Sequence, residues 1–233
     1  MIIGSGMMAQ AFSSFREDPD VVIFASGVSN SLETDPAAFD REKTLLQRAR
    51  SEYEDKLLVY FGTCSVDDPD RKNSLYVHHK LEMEAILARS DARWMVLRLP
   101  LAIGKGHRGP TLAQYLYERI SRGEQFEVWA GATRYPIDVD DVCRIAQRLL
   151  ADSTMTNRVI NIAFGAYKVL DFVHSMEKIS GKPANFTMVH HKGRHYDIRC
   201  PEVANIADEL KIDRRKDYLE KTLSKYFGRS GSS

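Results

Sequence analysis

Ile2-Ile3-Gly4-Ser5-Gly6-Met7-Met8-Ala9 is the stretch on which the reading of this chain turns. Two β-branched residues run into a G-x-G-x-x-A turn, and an amphipathic segment, Met8–Phe15, follows. The order is strand, glycine turn, helix. Each small residue there has a physical task. Gly4 permits a tight turn, Gly6 lets a pyrophosphate approach the backbone, and Ala9 lets the helix pack closely on its strand. The amide groups at the start of such a helix favour phosphate. Glycine-rich turns of this kind also occur without ligands, so the surrounding pattern decides the weight of this one. One expected part is missing. An acid usually stands about 20 residues further on, at the end of the next strand, to hold an adenosine ribose. Here that interval lands on Phe24-Ala25-Ser26, and Asp18 and Asp20 precede the strand instead of ending it.

Outward from the turn, short β-rich runs alternate with longer amphipathic ones. The strand-like runs are Ile2–Ile3, Val21–Ala25, Leu57–Phe61, Trp94–Leu99, Val159–Ile162 and Phe186–Val189. Helix-like segments lie at Met8–Phe15, Asp40–Tyr53, Ser74–Arg89, Leu112–Ser121, Asp140–Leu150 and Leu170–Ser180, and Pro201–Leu210 and Tyr218–Phe227 close the chain. Continuous apolar strands separated by helices predict an α/β fold, a parallel sheet covered on both faces. The 233 residues suit one large domain or a domain with an appendage. The division predicted is a core over 1–103 and, over 104–233, the interleaved remainder of that core with a C-terminal lobe, entered through the loop Gly104–Pro110. A tail, Gly228–Ser233, is small and polar. With Lys+Arg 33 against Asp+Glu 32 the net charge is +1, which supplies no strong field for nucleic acid or an anionic membrane. There is no apolar run of the ~18 residues a membrane span needs. Cys64, Cys143 and Cys200 are too widely spaced for a disulfide framework or a zinc motif. The expectation is a soluble, reduced, cytoplasmic protein.

A second constellation carries chemistry. The run Leu57–Phe61 ends in Gly62-Thr63-Cys64-Ser65, and the next helix holds Tyr76-Val77-His78-His79-Lys80. Residues i and i+4 share a helix face. An ammonium beside a phenol favours the phenolate. A phenolate can take the proton of an alcohol while hydride leaves the same carbon, and a hydroxyl at the strand end can hold the reacting oxygen.

Taken together, these segments resemble the extended short-chain dehydrogenase/reductase family, the nucleotide-sugar epimerases and dehydratases. The likeness covers nearly the whole chain. GSGMMA resembles the family's glycine turn, VVIFASGVS its fourth strand, LLVYFGTCSV its fifth and YVHHK its Y-x-x-x-K. VLRLPLAIGKG is similar to the strand whose following loop touches the nicotinamide, ATRYPIDVDDV to an R-x-x-I-x-V-x-D-V segment and KGRHYD to a late R-x-x-D. The resemblance implies a Rossmann-like sheet with a small C-terminal substrate lobe. It implies NAD or NADP as cofactor, lined by Gly4, Gly6, Met7, Met8, Ala25, Ser26, Gly27, Phe61, Gly62, Tyr76, Lys80, Leu99, Pro100 and Ile103. Tyr76 would be the acid/base, Lys80 would hold the nicotinamide ribose and tune Tyr76, and Thr63 would position the reacting oxygen. Arg134 and Arg194 would clamp a substrate diphosphate, a task that suits the planar guanidinium fork. The activity implied is NAD(P)-dependent epimerisation or reduction of a nucleotide-activated sugar, with a place in polysaccharide biosynthesis. Cys64-Ser65-Val66 after Thr63 offers no Asp-Glu pair, which disfavours 4,6-dehydration. The alternative is a nucleotide-sugar or dinucleotide binding protein without turnover, a regulatory or assembly subunit.

The chain also departs from the family. A strand, a helix and another strand normally separate the first helix from the VVIFAS-like strand, and here only a few residues do. The sequence therefore predicts a sheet shortened on one side, with part of the adenosine wall gone. An exposed first strand would invite a homodimer through that edge, or cover by a loop. Other features carry plainer expectations. His190 and His191, adjacent on a strand, point to opposite faces and chelate no common ion, so no metal site is expected, and Arg194 beside them faces phosphate. His78 and His79 are read as helix surface, Cys64 as a small buried residue, Asp140 as a helix cap, and Trp94 and Trp129 as core.

Overall fold

Val21–Phe24 and Leu57–Thr63 are apolar or small throughout, as strands covered on both faces must be. The computed structural model describes residues 1–106 and 111–228. In chain order its elements are β1 (Ile2–Ile3), α1 (Met7–Ala11), β2 (Val21–Phe24), α2 (Pro36–Glu52), β3 (Leu57–Thr63), α3 (Leu75–Ala88), β4 (Trp94–Leu99), β5 (Leu101–Ile103), α4 (Leu112–Arg122), β6 (Phe126–Trp129), β7 (Thr133–Arg134), β8 (Pro136–Asp138), α5 (Val139–Leu150), β9 (Arg158–Asn161), β10 (Tyr167–Lys168), α6 (Val169–Ser180), β11 (Phe186–Val189), α7 (Pro201–Glu209) and α8 (Tyr218–Phe227). The central sheet runs β1-β2-β3-β4-β9, and every neighbouring pair in it is parallel. Part of the loop Gly104–Pro110 (residues 107–110) and the tail 229–233 lie outside the described residues.

Side chains that alternate along the strands feed two opposite layers. Val21, Ile23, Leu57, Val59, Met95 and Leu97 pack on the side of α5 and α7, against Val142, Ile145, Leu149, Val203 and Ile206. Phe24, Leu58, Tyr60 and Val96 pack on the other side, against Leu46 and Ala49 of α2 and Met83 and Leu87 of α3. A separate cluster gathers Leu116, Ile120, Phe126, Val128, Phe172, Val173, Met176, Leu219 and Leu223 from α4, β6, α6 and α8. Pro100 separates β4 from β5, and β5 leaves the central sheet to pair with β8. Proline donates no ladder hydrogen bond, which is why the chain can change partner there.

The sheet is shortened at its β1 edge, as the sequence predicts. α1 is five residues long, a single 3₁₀ turn over Ser13–Phe15 follows, and the chain then enters β2. Among the described residues β1 pairs with β2 alone.

Several boundaries differ from the sequence reading for local reasons. Met8–Phe15 is not one helix, since its second half tightens into the 3₁₀ turn. α2 begins at Pro36, before the expected Asp40, because Asp35 caps it: its carboxylate accepts the Ala37 amide at 2.9 Å, and Pro36 is pre-shaped for a first helical turn. The cap of α5 is Asp138, accepting the Asp140 amide at 2.9 Å, so Asp140 sits in the first turn. Phe186–Val189 is a strand, yet it pairs with β6 outside the central sheet. Trp94 is buried, but Trp129 is 38% exposed, with the Lys192 ammonium 5.3 Å above its ring.

Gly4 is the residue on which the opening turn depends. Its φ is +126°, and a Cβ there would come within 2.3 Å of the Ala25 carbonyl oxygen. Gly4→Ala should lower the urea midpoint, with about 1–3 kcal/mol lost to the backbone conformation alone. An unchanged midpoint would mean the turn is not built this way.

Candidate active site

The C-terminal ends of the parallel strands open into one cleft of about 800 Å³. That volume is in the range of small-molecule and cofactor sites. Gly6, Met7 and Met8 form one wall, and Ala25, Ser26 and Gly27, at the end of β2, form the next. Phe61, Gly62 and Thr63 end β3 in the floor, with Tyr76 and Lys80 of α3 beside them. Leu99, Pro100 and Arg134 line the far part, with Ser65, Asp68, Arg71, Tyr135 and Tyr196. Fourteen of the predicted site residues therefore meet in one place, and three do not. Gly4 lies behind the turn against Ala25, Ile103 is buried in the separate cluster formed with α4, β6, α6 and α8, and Arg194 points elsewhere. Arg194 donates to the Asp70 carboxylate at 2.7 Å and to the Pro69 carbonyl at 3.0 Å, so it fastens two loops outside the cleft wall instead of facing phosphate there.

Tyr76 and Lys80 are placed by α3, which starts where Ser74 accepts the Val77 amide at 3.2 Å. Arg98 holds the other end of the helix to β4 with a fork on Glu84, at 2.9 and 2.6 Å. Tyr76 is buried to 7% exposure, and among the described residues its hydroxyl has no hydrogen-bond partner in the protein. Thr63 accepts the Ser65 amide at 3.1 Å. A hydroxyl that accepts in this way still carries a proton to donate.

Beneath these residues lies a feature that the sequence reading missed. Glu42 of α2 is fully buried. One carboxylate oxygen accepts from the Tyr60 hydroxyl at 2.6 Å and from the Lys80 ammonium at 3.0 Å. The other accepts the Val28 amide at 2.6 Å and lies 3.0 Å from His79 Nε2. Lys80 also donates to the Tyr60 hydroxyl at 3.0 Å and to the Phe61 carbonyl at 3.3 Å. An ammonium has three N–H donors, and these three acceptors engage all of them. A ribose hydroxyl reaching Lys80 would have to replace one, the long bond to Phe61 being the weakest. Lys80 Nζ lies 5.9 Å from the centre of the Tyr76 ring. Gly27 closes the network on the cleft side, since a Cβ there would fall 2.7 Å from Glu42 Oε1 and 2.8 Å from Lys80 Nζ.

Burial by itself would push the Glu42 carboxyl up, but Lys80's charge and the hydrogen bonds from His79, Tyr60 and the Val28 amide outweigh it and hold the carboxyl well below the usual range. Burial, with Glu42 adding to it, pushes the Tyr60 phenol well up. Burial likewise pushes the Cys64 thiol up, so this cysteine is an inert packing residue, as read from the sequence. His79 is the correction: it is buried, not on the helix surface. It stands at i+3 from Tyr76, on the same face, so the helical spacing did contain the signal. Glu42 left only a faint one, a charged residue at an apolar-face position with Leu46 and Ala49.

No family model matches the chain, and no curated protein matches it in sequence. Solved structures do match it. The UDP-glucose 4-epimerase of Thermus thermophilus, in complex with NAD, superposes with a TM-score of 0.68 at 16% identity, over 95% of this chain and 82% of that one. The UDP-glucuronic acid 4-epimerase of Bacillus cereus, also with NAD, gives 0.70 at 19% identity, over 93% and 76%. RMD from Pseudomonas aeruginosa, complexed with NADPH, gives 0.67 at 18%, over 94% and 85%. The fold is that of the nucleotide-sugar 4-epimerases. The cleft of this chain lies at the C-terminal ends of the strands, where open α/β sheets take their ligands.

Glu42→Gln leaves the Lys80 charge buried without its counter-ion. It should cost about 3–5 kcal/mol in unfolding experiments at pH 7, and adding Lys80→Met should recover part of that loss. The depressed carboxyl also sets a pH dependence. Its contribution is complete above the unfolded value of ~4.3 and disappears as pH falls further toward the folded value, so stability should drop below about pH 4. In Glu42→Gln that acid limb should be shallower; an identical limb would remove Glu42 as its source.

Proposed function

We propose that the chain is an NAD(P)-dependent epimerase or reductase acting on a nucleotide-activated sugar. The observation that carries this reading is that Thr63, Tyr76 and Lys80 open into the same cleft as the Gly6-Met7-Met8 turn. The cleft fits a dinucleotide on the side of the opening turn, where Gly4 lets the backbone pass Ala25 and Gly27 keeps the floor free of a side chain. Gly6–Met8 and Ala25–Gly27 would hold the cofactor, with Phe61, Gly62, Leu99 and Pro100 toward its nicotinamide end. Bound there, the nicotinamide supplies reversible hydride acceptance at the reacting carbon.

The remaining chemistry belongs to the chain. The Tyr76 hydroxyl takes the proton from the substrate alcohol in one direction and returns it in the other. Thr63 donates its hydroxyl proton to the reacting oxygen and fixes its position. Leu99, Pro100, Tyr135 and Tyr196 exclude water from this part of the cleft. Arg134 uses one guanidinium N–H on the Thr133 carbonyl at 2.7 Å and has others for a diphosphate.

A second reading has its own support. With all three N–H groups of Lys80 engaged, the cleft suits a protein that binds nucleotide without turnover. Fluorescence titration with NADH and NADPH, followed by hydride exchange across a panel of nucleotide sugars, separates the two. For an enzyme, Tyr76→Phe should cut turnover by roughly 10²–10⁴-fold and spare cofactor binding. Retained turnover would remove Tyr76 from the mechanism, and cofactor binding without exchange on any sugar would favour the second reading. Arg134→Ala should weaken nucleotide-sugar affinity about tenfold, the worth of one charged hydrogen bond, at unchanged cofactor affinity.

A further inference from the structure

We infer that Arg41 makes the adenosine end of the cleft selective for a cofactor with a 2′-phosphate, NADP(H) over NAD(H). This rests on the dinucleotide reading above and deepens it. Arg41 stands on α2 beside Glu42, and its side chain reaches back over the end of β2. Its Nη2 lies 3.2 Å from the Ser26 carbonyl oxygen, and its Nη1 lies 3.4 Å from the Ser26 hydroxyl. Ser26 follows Ala25, the residue against which the Gly4 turn is pressed. The guanidinium therefore stands over the end of β2, one strand in from the sheet's short edge at β1, in the wall of the cleft.

The charges at this end all point one way. The strand that would carry the acid for the ribose hydroxyls is among those the chain lacks, and Phe24-Ala25-Ser26 at the end of β2 brings no carboxylate in its stead. Among the described residues that line the cleft, the one carboxylate is Asp68, in the loop after β3, where it accepts the Asp70 amide at 2.9 Å. Lys80 is neutralised by Glu42, and Lys43, on Arg41's own helix, is paired with Glu82 at 2.6 Å. Arg98 and Arg194 are likewise paired, with Glu84 and Asp70. Among the described residues Arg41 has no carboxylate within 4.0 Å, and its two contacts are long ones to neutral oxygens.

NAD and NADP differ by one group at the adenosine ribose. A carboxylate at that position bonds the free hydroxyl and repels a phosphate, and a guanidinium does the reverse. The 2′-phosphate brings close to two negative charges and several acceptor oxygens, which the planar fork can meet in pairs. The two bonds to Ser26 are weak enough to be exchanged for such contacts.

The test is a pair of titrations of the full chain with NADPH and NADH, read by nicotinamide fluorescence at low and moderate salt. Displacement by adenosine 2′,5′-bisphosphate and by AMP isolates the adenosine half. NADPH should bind at least about tenfold tighter than NADH, and adenosine 2′,5′-bisphosphate should displace it better than AMP. Arg41→Ala should lower NADPH affinity about tenfold while NADH changes by less than about twofold, and Arg41→Glu should reverse the preference. Arg41 is exposed, so neither variant disturbs the core. Equal affinity for the two cofactors, or equal weakening of both by Arg41→Ala, overturns this inference and leaves the dinucleotide reading in place. Failure of the wild-type chain to bind either cofactor overturns both.

Discussion

A buried carboxylate and a buried ammonium, Glu42 and Lys80, tie the working parts of this molecule together. Removing two charges from water is costly, and their attraction offsets that cost only where the remaining donors and acceptors are also satisfied. Here they are satisfied by Tyr60 of β3, His79 of α3, the Val28 amide after β2 and the Phe61 carbonyl. The network thus joins two helices, the central strand and the loop that lines the cleft. Were Glu42 or Lys80 lost, the other would be left as a buried charge without its counter-ion. This is why the position of Tyr76, which rides on α3 one turn before Lys80, follows from a residue on a different helix.

The same network changes what the lysine can do. In a Y-x-x-x-K pair the lysine is expected to face the cofactor and the phenol. In this fold its three donors turn inward, and Gly27 covers the pair without a side chain. Among the described residues lining the cleft, positive charge without a carboxylate partner is carried by Arg41, Arg71 and Arg134. A sheet that stops at β1 makes such replacement physically reasonable. Among the described residues no strand lies beyond β1, so a ligand over the opening turn would take its side-chain contacts from across the cleft, where α2 lies.

Much of this could be read along the chain, and the rest could not, for reasons visible at particular residues. The apolar runs of β2, β3 and β4 announced parallel strands because a two-faced burial leaves no room for polar alternation. Thr63 and Tyr76 reached the cleft as expected because a strand end and a helix face are local properties. Arg194 did not, because its fate depends on Asp70, far away in sequence and beside it only after folding. Asp35 caps α2 where the sequence reading starts the helix later, at Asp40, and Asp138 caps α5 where it names Asp140, because the backbone direction that selects a cap is set only by the fold.

The sequence by itself determined the alternation of strands and helices, the shortened side of the sheet and the residues able to do proton and hydroxyl chemistry. Periodicity and small-residue turns are local, and local sterics enforce them. Only the tertiary structure decided that Glu42 captures Lys80, that His79 is interior and that Arg41 reaches over Ser26 at the end of β2. Each of those is a meeting between elements distant in sequence, and its energy comes from desolvation and charge pairing, which exist only once the chain has closed around them.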